Sequence, residues 1–372
     1  MGATIIGTGK AVPAFKVTNH RLSQIVDTSD EWIVPRTGIH ERPIATAETA
    51  TDLASAAARR ALGWEAGAGL APTETIDAAS IDLVVCMTLT GDAIIPSQAA
   101  LVKARLGLPN AVAFDLNAAC AGCVYGLATA QSMMAAAQAP GWAGNHVRRA
   151  LVIGVERMSR ILDWTDRATC VLFGDGAGAV VLEWRDGATG IASSFLKNTD
   201  DEALTLACGK NYDMSSFPFG DEMVLAGEGP DATAGPQADV SRDAIVHDDH
   251  ARAVMGSPFI SMTGQKVFKF ATSAIVEAIG TALDRAGWEL ADIDAIVPHQ
   301  ANERIIRYAA KKLGVPEDLF QVSIGTAGNA SAASALMALD DAWRSGKLHA
   351  GDKAIMVGFG GGLTSGAIAF EA

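Results

Sequence analysis

The sequence predicts an internally duplicated α/β protein, with parallel sheets lying under layers of helix. Two observations carry this. Short apolar runs alternate with longer, proline-free apolar stretches, the pattern of successive βα units. The run at 81–85 (IDLVV) also returns at 293–297 (IDAIV), and 176–181 (GAGAVV) is echoed at 365–370 (SGAIAF).

Residues 4–7 form a first short strand. Asn19 caps a helix over 20–26, and Ser29-Asp30-Glu31-Trp32 starts a turn that leads to Arg36. An amphipathic helix follows over 51–62, then a strand over 81–87 that is apolar on both faces. Pro96-Ser97 opens a helix to 106. A strand over 111–116 runs into an apolar helix over 121–138, with Cys120 at the junction. Strands over 150–155 and 175–183 close the first half, residues 1–184. The second half, 185–372, repeats the order. It has a long helix over 266–286, a strand over 293–297 and a helix over 302–313. A short strand over 321–324, a helix over 329–343 and strands over 354–357 and 365–370 complete it. In this repeat Cys120 and Asn329 fall at equivalent places, each at the start of the third helix of its half. Residues 209–258 break the pattern with nine acidic residues against three basic ones. They read as a long loop insertion, either a lid or a solvated excursion.

A chain of 372 residues, 49% hydrophobic, can bury one large core or two fused ones. Five cysteines in no pattern argue for a reducing, cytoplasmic setting. The N-terminus lacks the basic and long apolar regions of a signal peptide, and no apolar run reaches the roughly 18 residues of a membrane span. A net charge of −13 disfavours nucleic acid as a partner.

Cys120 lies at a helix start, where unpaired N–H groups and the positive dipole end favour a thiolate. Small neighbours (Ala118, Ala119, Ala121, Gly122) leave room for a substrate carbonyl. Two other readings stand beside this nucleophile: an inert core cysteine, and a redox pair with Cys123. No second CxxC or HxxxH supplies a metal site, so no metal is expected. His299 follows a buried strand, at the end where parallel α/β sheets bind ligands. Asn329 reads either as a helix cap or as an amide donor aimed at the same cavity. Residues 358–366 (GFGGGLTSG) form a glycine turn, either a plain hairpin or a route for a backbone N–H to a reacting oxygen. No Rossmann or P-loop spacing is completed.

Taken together, Asn-Ala-Ala-Cys120-Ala-Gly, Pro-His299-Gln-Ala-Asn-Glu-Arg, Gly-Asn329-Ala-Ser-Ala-Ala-Ser and Gly-Phe-Gly-Gly-Gly resemble β-ketoacyl-acyl-carrier-protein synthase III. So do the segments around Trp32 and Arg36, and Asp163 to Arg167 with Phe-Gly-Asp-Gly-Ala-Gly. The resemblance implies the thiolase-like fold, a duplicated five-layer α/β/α/β/α architecture, as a homodimer. It implies a decarboxylating condensation of an acyl-CoA primer with malonyl-acyl-carrier-protein, initiating type II fatty acid biosynthesis without metal or redox cofactor. Cys120 would be the nucleophile, with His299 and Asn329 assisting decarboxylation. The N–H groups of Cys120 and Gly361 would form the oxyanion site. Trp32, Arg36, Arg167, Gly264 and Phe268 match coenzyme A contacts. Gln300, Ala301, Asn302, Glu303 and Arg304 match the segment that meets the acidic carrier protein, and Ile95 matches a position that reaches the partner subunit's acyl pocket. Ala330 departs from the family's commoner Thr, and the 209–258 insertion is longer than usual. A ketosynthase or acyltransferase of secondary metabolism, with another primer or acceptor, remains the alternative.

Overall fold

A computed structural model describes residues 2–201, 203–209 and 257–372. Most of the 209–258 insertion therefore lies outside the described residues.

The first sheet has the order β1-β7-β6-β4-β5, built from β1 (Gly2–Ala11), β4 (Leu83–Met87), β5 (Val112–Leu116), β6 (Arg149–Arg157) and β7 (Asp175–Arg185). The second has the order β11-β12-β13-β8, from β8 (Ile191–Asn198), β11 (Ala295–Pro298), β12 (Lys353–Gly360) and β13 (Thr364–Glu371). Two small ribbons pair β2 (Lys16–Thr18) with β3 (Glu41–Pro43), and β9 (Leu206–Ala207) with β10 (Ser261–Met262).

The four strands of the second sheet repeat β1, β7, β6 and β4 of the first, with no counterpart of β5, and both sheets are mixed rather than parallel as expected. β4 runs parallel to β5 and β6, whereas β7 runs antiparallel to β6 and β1. In the second sheet β11 and β12 are parallel, and β13 is antiparallel to β12 and β8. The cause is local: β12 turns straight back through Gly361-Gly362-Leu363 into β13, with no helix to carry the chain across the sheet. The strand expected over 321–324 does not form. Only Phe320 bridges to Ile296. The Gln300 side-chain oxygen takes the N–H groups of Ser323 (2.8 Å) and Ile324 (3.1 Å), which ends the ladder there.

Three apolar cores separate five layers. Helices α3 (Ala50–Ala61) and α4 (Gln98–Leu106) cover the outer face of the first sheet. Helices α6 (Gly264–Ala286) and α7 (Glu303–Leu313) cover the outer face of the second. Between the sheets lie α5 (Gly122–Ala137) and α9 (Ser334–Arg344), packed on Leu83, Val85 and Met87 from one side and Val297, Met356 and Ile368 from the other. Helix α5 is apolar nearly all round because both its sides are buried.

Shorter helices α1 (Asn19–Leu22), α2 (Asp30–Thr37) and α8 (Ile324–Ala327) carry the outer edge of the site. Here Thr18, not Asn19, is the N-cap of α1. Asn19 is buried, and its amide bonds Asp30, Ile39 and the guanidinium of Arg42. Arg42 is itself buried and ties this region to the Val171 carbonyl at 3.0 Å.

The central layer leaves no clearance at β7. A Cβ at Gly178 would stand 2.6 Å from Leu336 Cβ and 2.7 Å from the Met337 nitrogen. Gly178→Ala is expected to destabilise the protein by about 1–3 kcal/mol, read as a lower urea midpoint with unchanged slope. An unchanged midpoint would show that α9 can shift freely.

Candidate active site

Cys120 sits in a single 3-10 turn, Ala119–Ala121, that leads into α5. Ala119 adopts φ +46°, a left-handed conformation costly for a residue with a Cβ. The Asn117 side-chain oxygen accepts from the Ala119 N–H at 3.1 Å and holds the turn. The same device recurs in the second half. Ser331 has φ +45°, and Asn329 Oδ1 accepts from its N–H at 2.8 Å. The repeat therefore pairs Asn117 with Asn329 and Cys120 with Ala332, which corrects the expected pairing of Cys120 with Asn329. With Oδ1 engaged on the backbone, the Asn329 amide offers its Nδ2 hydrogens to the pocket.

Cys120, His299 and Asn329 line one pocket of about 120 Å³, together with Gly264, Phe268 and Phe359. Cys120 also borders a second, larger cavity of about 600 Å³, walled by Leu89, Ile94, Met158, Ile161 and Ile260. The thiol thus stands between two cavities, one shared with His299 and Asn329 and the other walled in large part by aliphatic side chains. Gly361 lines that chamber as well. Gly360, which sequence reasoning passed over, is the residue that packs on the nucleophile: a Cβ there would meet the Cys120 nitrogen at 2.6 Å. Cys123 belongs to the central core and faces Gly358, where a Cβ would lie 3.4 Å from its sulfur.

Burial decides the charges. It pushes the Cys120 thiol up to about 12, with a neighbouring Ser331 hydroxyl pulling the other way. The resting residue is a thiol, so the expected helix-start thiolate is outweighed by desolvation. Burial also pulls His299 down to about 3, so its imidazole is neutral across the physiological range. His299 Nδ1 lies 2.5 Å from Ser334 Oγ, which also receives the Gln300 N–H at 3.2 Å and lies 2.9 Å from the Ser331 carbonyl. The Ser334 hydroxyl donates to the Ser331 carbonyl, and its contact with Nδ1 holds the ring so that Nε2 is the nitrogen left for the pocket. The Phe359 ring stands edge-on to the imidazole at 5.2 Å.

At the entrance, the Arg36 and Arg167 guanidiniums each stack on the Trp32 ring at 4.8 Å. Arg304 lies over Phe268 at 5.7 Å, and the Asn302 amide donates to the Arg36 carbonyl at 3.0 Å. Gln300 is only 1% exposed, and its amide is spent on Pro298, Gln321, Ser323 and Ile324. It is a structural residue with no surface to offer a carrier protein, unlike the expectation. Ile95 is 87% exposed and stands off this chain's own chamber, which Ile94 lines instead.

Family models described as 3-oxoacyl-[acyl-carrier-protein] synthase III and its C-terminal part match residues 114–199 and 283–372. A β-ketoacyl-[acyl-carrier-protein] synthase III from Alkalilimnicola ehrlichii is 44% identical over 98% of this chain and 97% of its own length. The enzyme of that name from Clostridium beijerinckii is 40% identical over 99% and 98%. Among solved structures, the 3-oxoacyl-[acyl-carrier-protein] synthase III of Aquifex aeolicus superposes with a TM-score of 0.80 at 35% identity, covering all of both chains. The priming β-ketosynthase of the R1128 polyketide pathway gives 0.80 at 33%, covering 100% of this chain and 96% of its own. The chain belongs to the 3-oxoacyl-[acyl-carrier-protein] synthase III family. Its five layers are the thiolase-like fold of that family, and it is an acyltransferase of the condensing type.

Within this synthase III scaffold, Ser334 is a residue that the sequence reading quoted in a motif but gave no role. Ser334→Ala removes the hydroxyl that holds the His299 ring through Nδ1. Carbon dioxide release from malonyl carrier protein should slow by about tenfold or more, while Cys120 acylation hardly changes. Release at the original rate would show that Ser334 does not position the ring.

Proposed function

We propose that Cys120, His299 and Asn329 carry out the decarboxylating condensation of an acyl-CoA with malonyl-acyl-carrier-protein that opens fatty acid biosynthesis. The supporting observation is one pocket that holds a buried thiol, a neutral imidazole and a fixed amide, with an apolar chamber beyond the sulfur.

In the first half-reaction the sulfur attacks the acyl thioester and coenzyme A leaves. The acyl chain enters the apolar chamber. The Cys120 and Gly361 N–H groups meet the tetrahedral oxyanion, each worth about 3 kcal/mol. In the second, malonyl carrier protein occupies the same entrance and loses carbon dioxide. The enolate oxygen needs donors and no positive charge. Nε2 of the neutral His299 and Nδ2 of Asn329 supply them. The enolate carbon then attacks the acyl group, and the Cys120 sulfur leaves.

The stacked Trp32, Arg36 and Arg167, with Gly264 and Phe268 farther in, fit a nucleotide and its pantetheine arm. Carrier docking falls to Ala301, Asn302, Glu303 and Arg304, without Gln300. Exposed Lys266, Lys269, Lys311 and Lys312 extend the basic patch, while Arg307 is engaged by Glu303 and Glu317. On a chain of net charge −13, such a patch suits an acidic partner.

A homodimer is part of the same proposal. β5 is an edge strand with Val112 40% exposed, and Ile94 and Ile95 are bare at the open side of the chamber. A second copy placed there would close the chamber and bring Ile95 to its partner's acyl chain.

Cys120→Ser should abolish the acyl-enzyme, whereas Cys123→Ser should retain most activity. His299→Ala and Asn329→Ala should still be acylated on Cys120, yet lose about 100-fold or more in carbon dioxide release. Unimpaired release in either variant, measured with radiolabelled malonyl carrier protein, would refute the roles assigned.

A further inference from the structure

Glu156 lies fully buried near the end of β6, and the chemistry above leaves it unused. Its neighbour β4 ends at Met87, which pairs with Gly154, so the chain beyond β4 runs past Glu156 outside the ladder. The Glu156 side chain takes over where the ladder stops. Oε2 accepts from the Leu89 N–H at 3.2 Å, the Thr90 N–H at 3.2 Å, the Thr88 hydroxyl at 3.3 Å and the Thr90 hydroxyl. Oε1 meets the Leu89 N–H at 3.3 Å. The Arg157 N–H, next along β6, donates to the Thr90 hydroxyl oxygen at 2.7 Å. At the far side of this segment, Asp92 accepts from the Ala50 and Thr51 N–H groups at 2.9 and 2.8 Å. Residues 88–92 are thereby stitched to the scaffold at both ends, although they form neither helix nor strand.

The same segment is a wall of the chamber beside the nucleophile. Leu89, Thr90 and Gly91 line the cavity of about 600 Å³ that Cys120 borders, whereas Glu156 and Thr88 do not. We propose that Glu156 sets primer selectivity without touching the primer: by holding Leu89 and Thr90 it fixes the wall against which acyl chains are measured. The proposal rests on the reading of this cavity as the acyl chamber. A pocket discriminates chains by shape only if its wall cannot yield, and an irregular segment has no ladder of its own to keep it rigid.

What the clamp requires is an oxygen at one place. The contacts of Thr88 and Thr90 converge on Oε2, and the carbonyl oxygen of an amide can stand there equally well. An apolar side chain cannot: it would leave the N–H groups of Leu89 and Thr90 without this acceptor in a buried place, and the segment would move to satisfy them. Thr88 serves the clamp a second time, since its hydroxyl oxygen also accepts from the Thr90 N–H at 3.2 Å.

The test is the rate of Cys120 acylation by straight-chain acyl-CoAs of increasing length, read by intact mass, with thermal midpoints measured alongside. The readout is the ratio of rates between the best primer of the wild-type protein and the primer two carbons longer. Glu156→Met, which keeps the volume and deletes the acceptor, should lower that ratio by about fivefold or more. Glu156→Gln should restore the wild-type ratio. Thr88→Val, at a residue outside the cavity lining, should lower it by about twofold, and it carries the test if Glu156→Met does not fold. A ratio unchanged in Glu156→Met or, failing that variant, in Thr88→Val, whatever the midpoint, overturns the inference while the chamber reading stands; so does a ratio lowered equally by Glu156→Gln. Failure of every acyl-CoA to acylate Cys120 in the wild-type protein would instead overturn the chamber reading, and the inference with it.

Discussion

The reaction centre depends on two copies of one strained turn. In each, an asparagine side chain accepts from the N–H two residues on, and the intervening geometry forces a non-glycine residue to positive φ. Each such residue costs about 1–2 kcal/mol, which the fold must offset by packing around it. That packing is tight: a Cβ at Gly122 would lie 3.0 Å from Ala332 Cβ, so the two turns are in contact at the centre of the molecule. One turn presents a sulfur and a backbone N–H, the other an amide and a hydroxyl. Duplication of the fold brings them to the same point between the sheets, and divergence of single residues within them gives the site its different chemical groups.

Burial then sets the resting charges. The same removal from water raises the thiol, lowers the imidazole and raises the Glu156 carboxyl. Charge appears only as the reaction proceeds, as an oxyanion, an enolate or a thiolate. In a medium of low polarity, donors that are already oriented stabilise such charge far more than water-exposed ones would. Burial keeps His299 neutral, and Ser334 holds its ring through Nδ1.

Much of this was legible in the sequence, because it follows from position within βα units. Cys120 after a strand, His299 after a buried strand and the glycine hairpin before β13 were all placed by pattern alone. The long helices were found because their apolar faces are continuous. What was missed depended on tertiary partners. The strand over 321–324 reads well by propensity, but the Gln300 side chain takes its N–H groups. Gln300 reads as a surface residue of a docking segment, yet it is consumed as that internal tie. Glu156 ends an apolar strand, where an outward carboxylate is the ordinary reading, and only the fold shows that it points inward. The pairing of Asn117 with Asn329 was legible in the shared Asn-Ala-x-x-Ala pattern of 117–121 and 329–333, and was missed because Cys120 and Asn329 drew the comparison instead.

The most direct test of the whole account is a two-stage mass measurement on the intact protein. A panel of acyl-CoAs is added first, then malonyl-acyl-carrier-protein, with peptide mapping and carbon dioxide counted at each stage. The account predicts one acyl group per chain, on the peptide that bears Cys120. The second addition should discharge it, with one carbon dioxide released per acyl group. Acylation elsewhere, as on Cys208, or an acyl group on Cys120 that persists through the second addition, would contradict it.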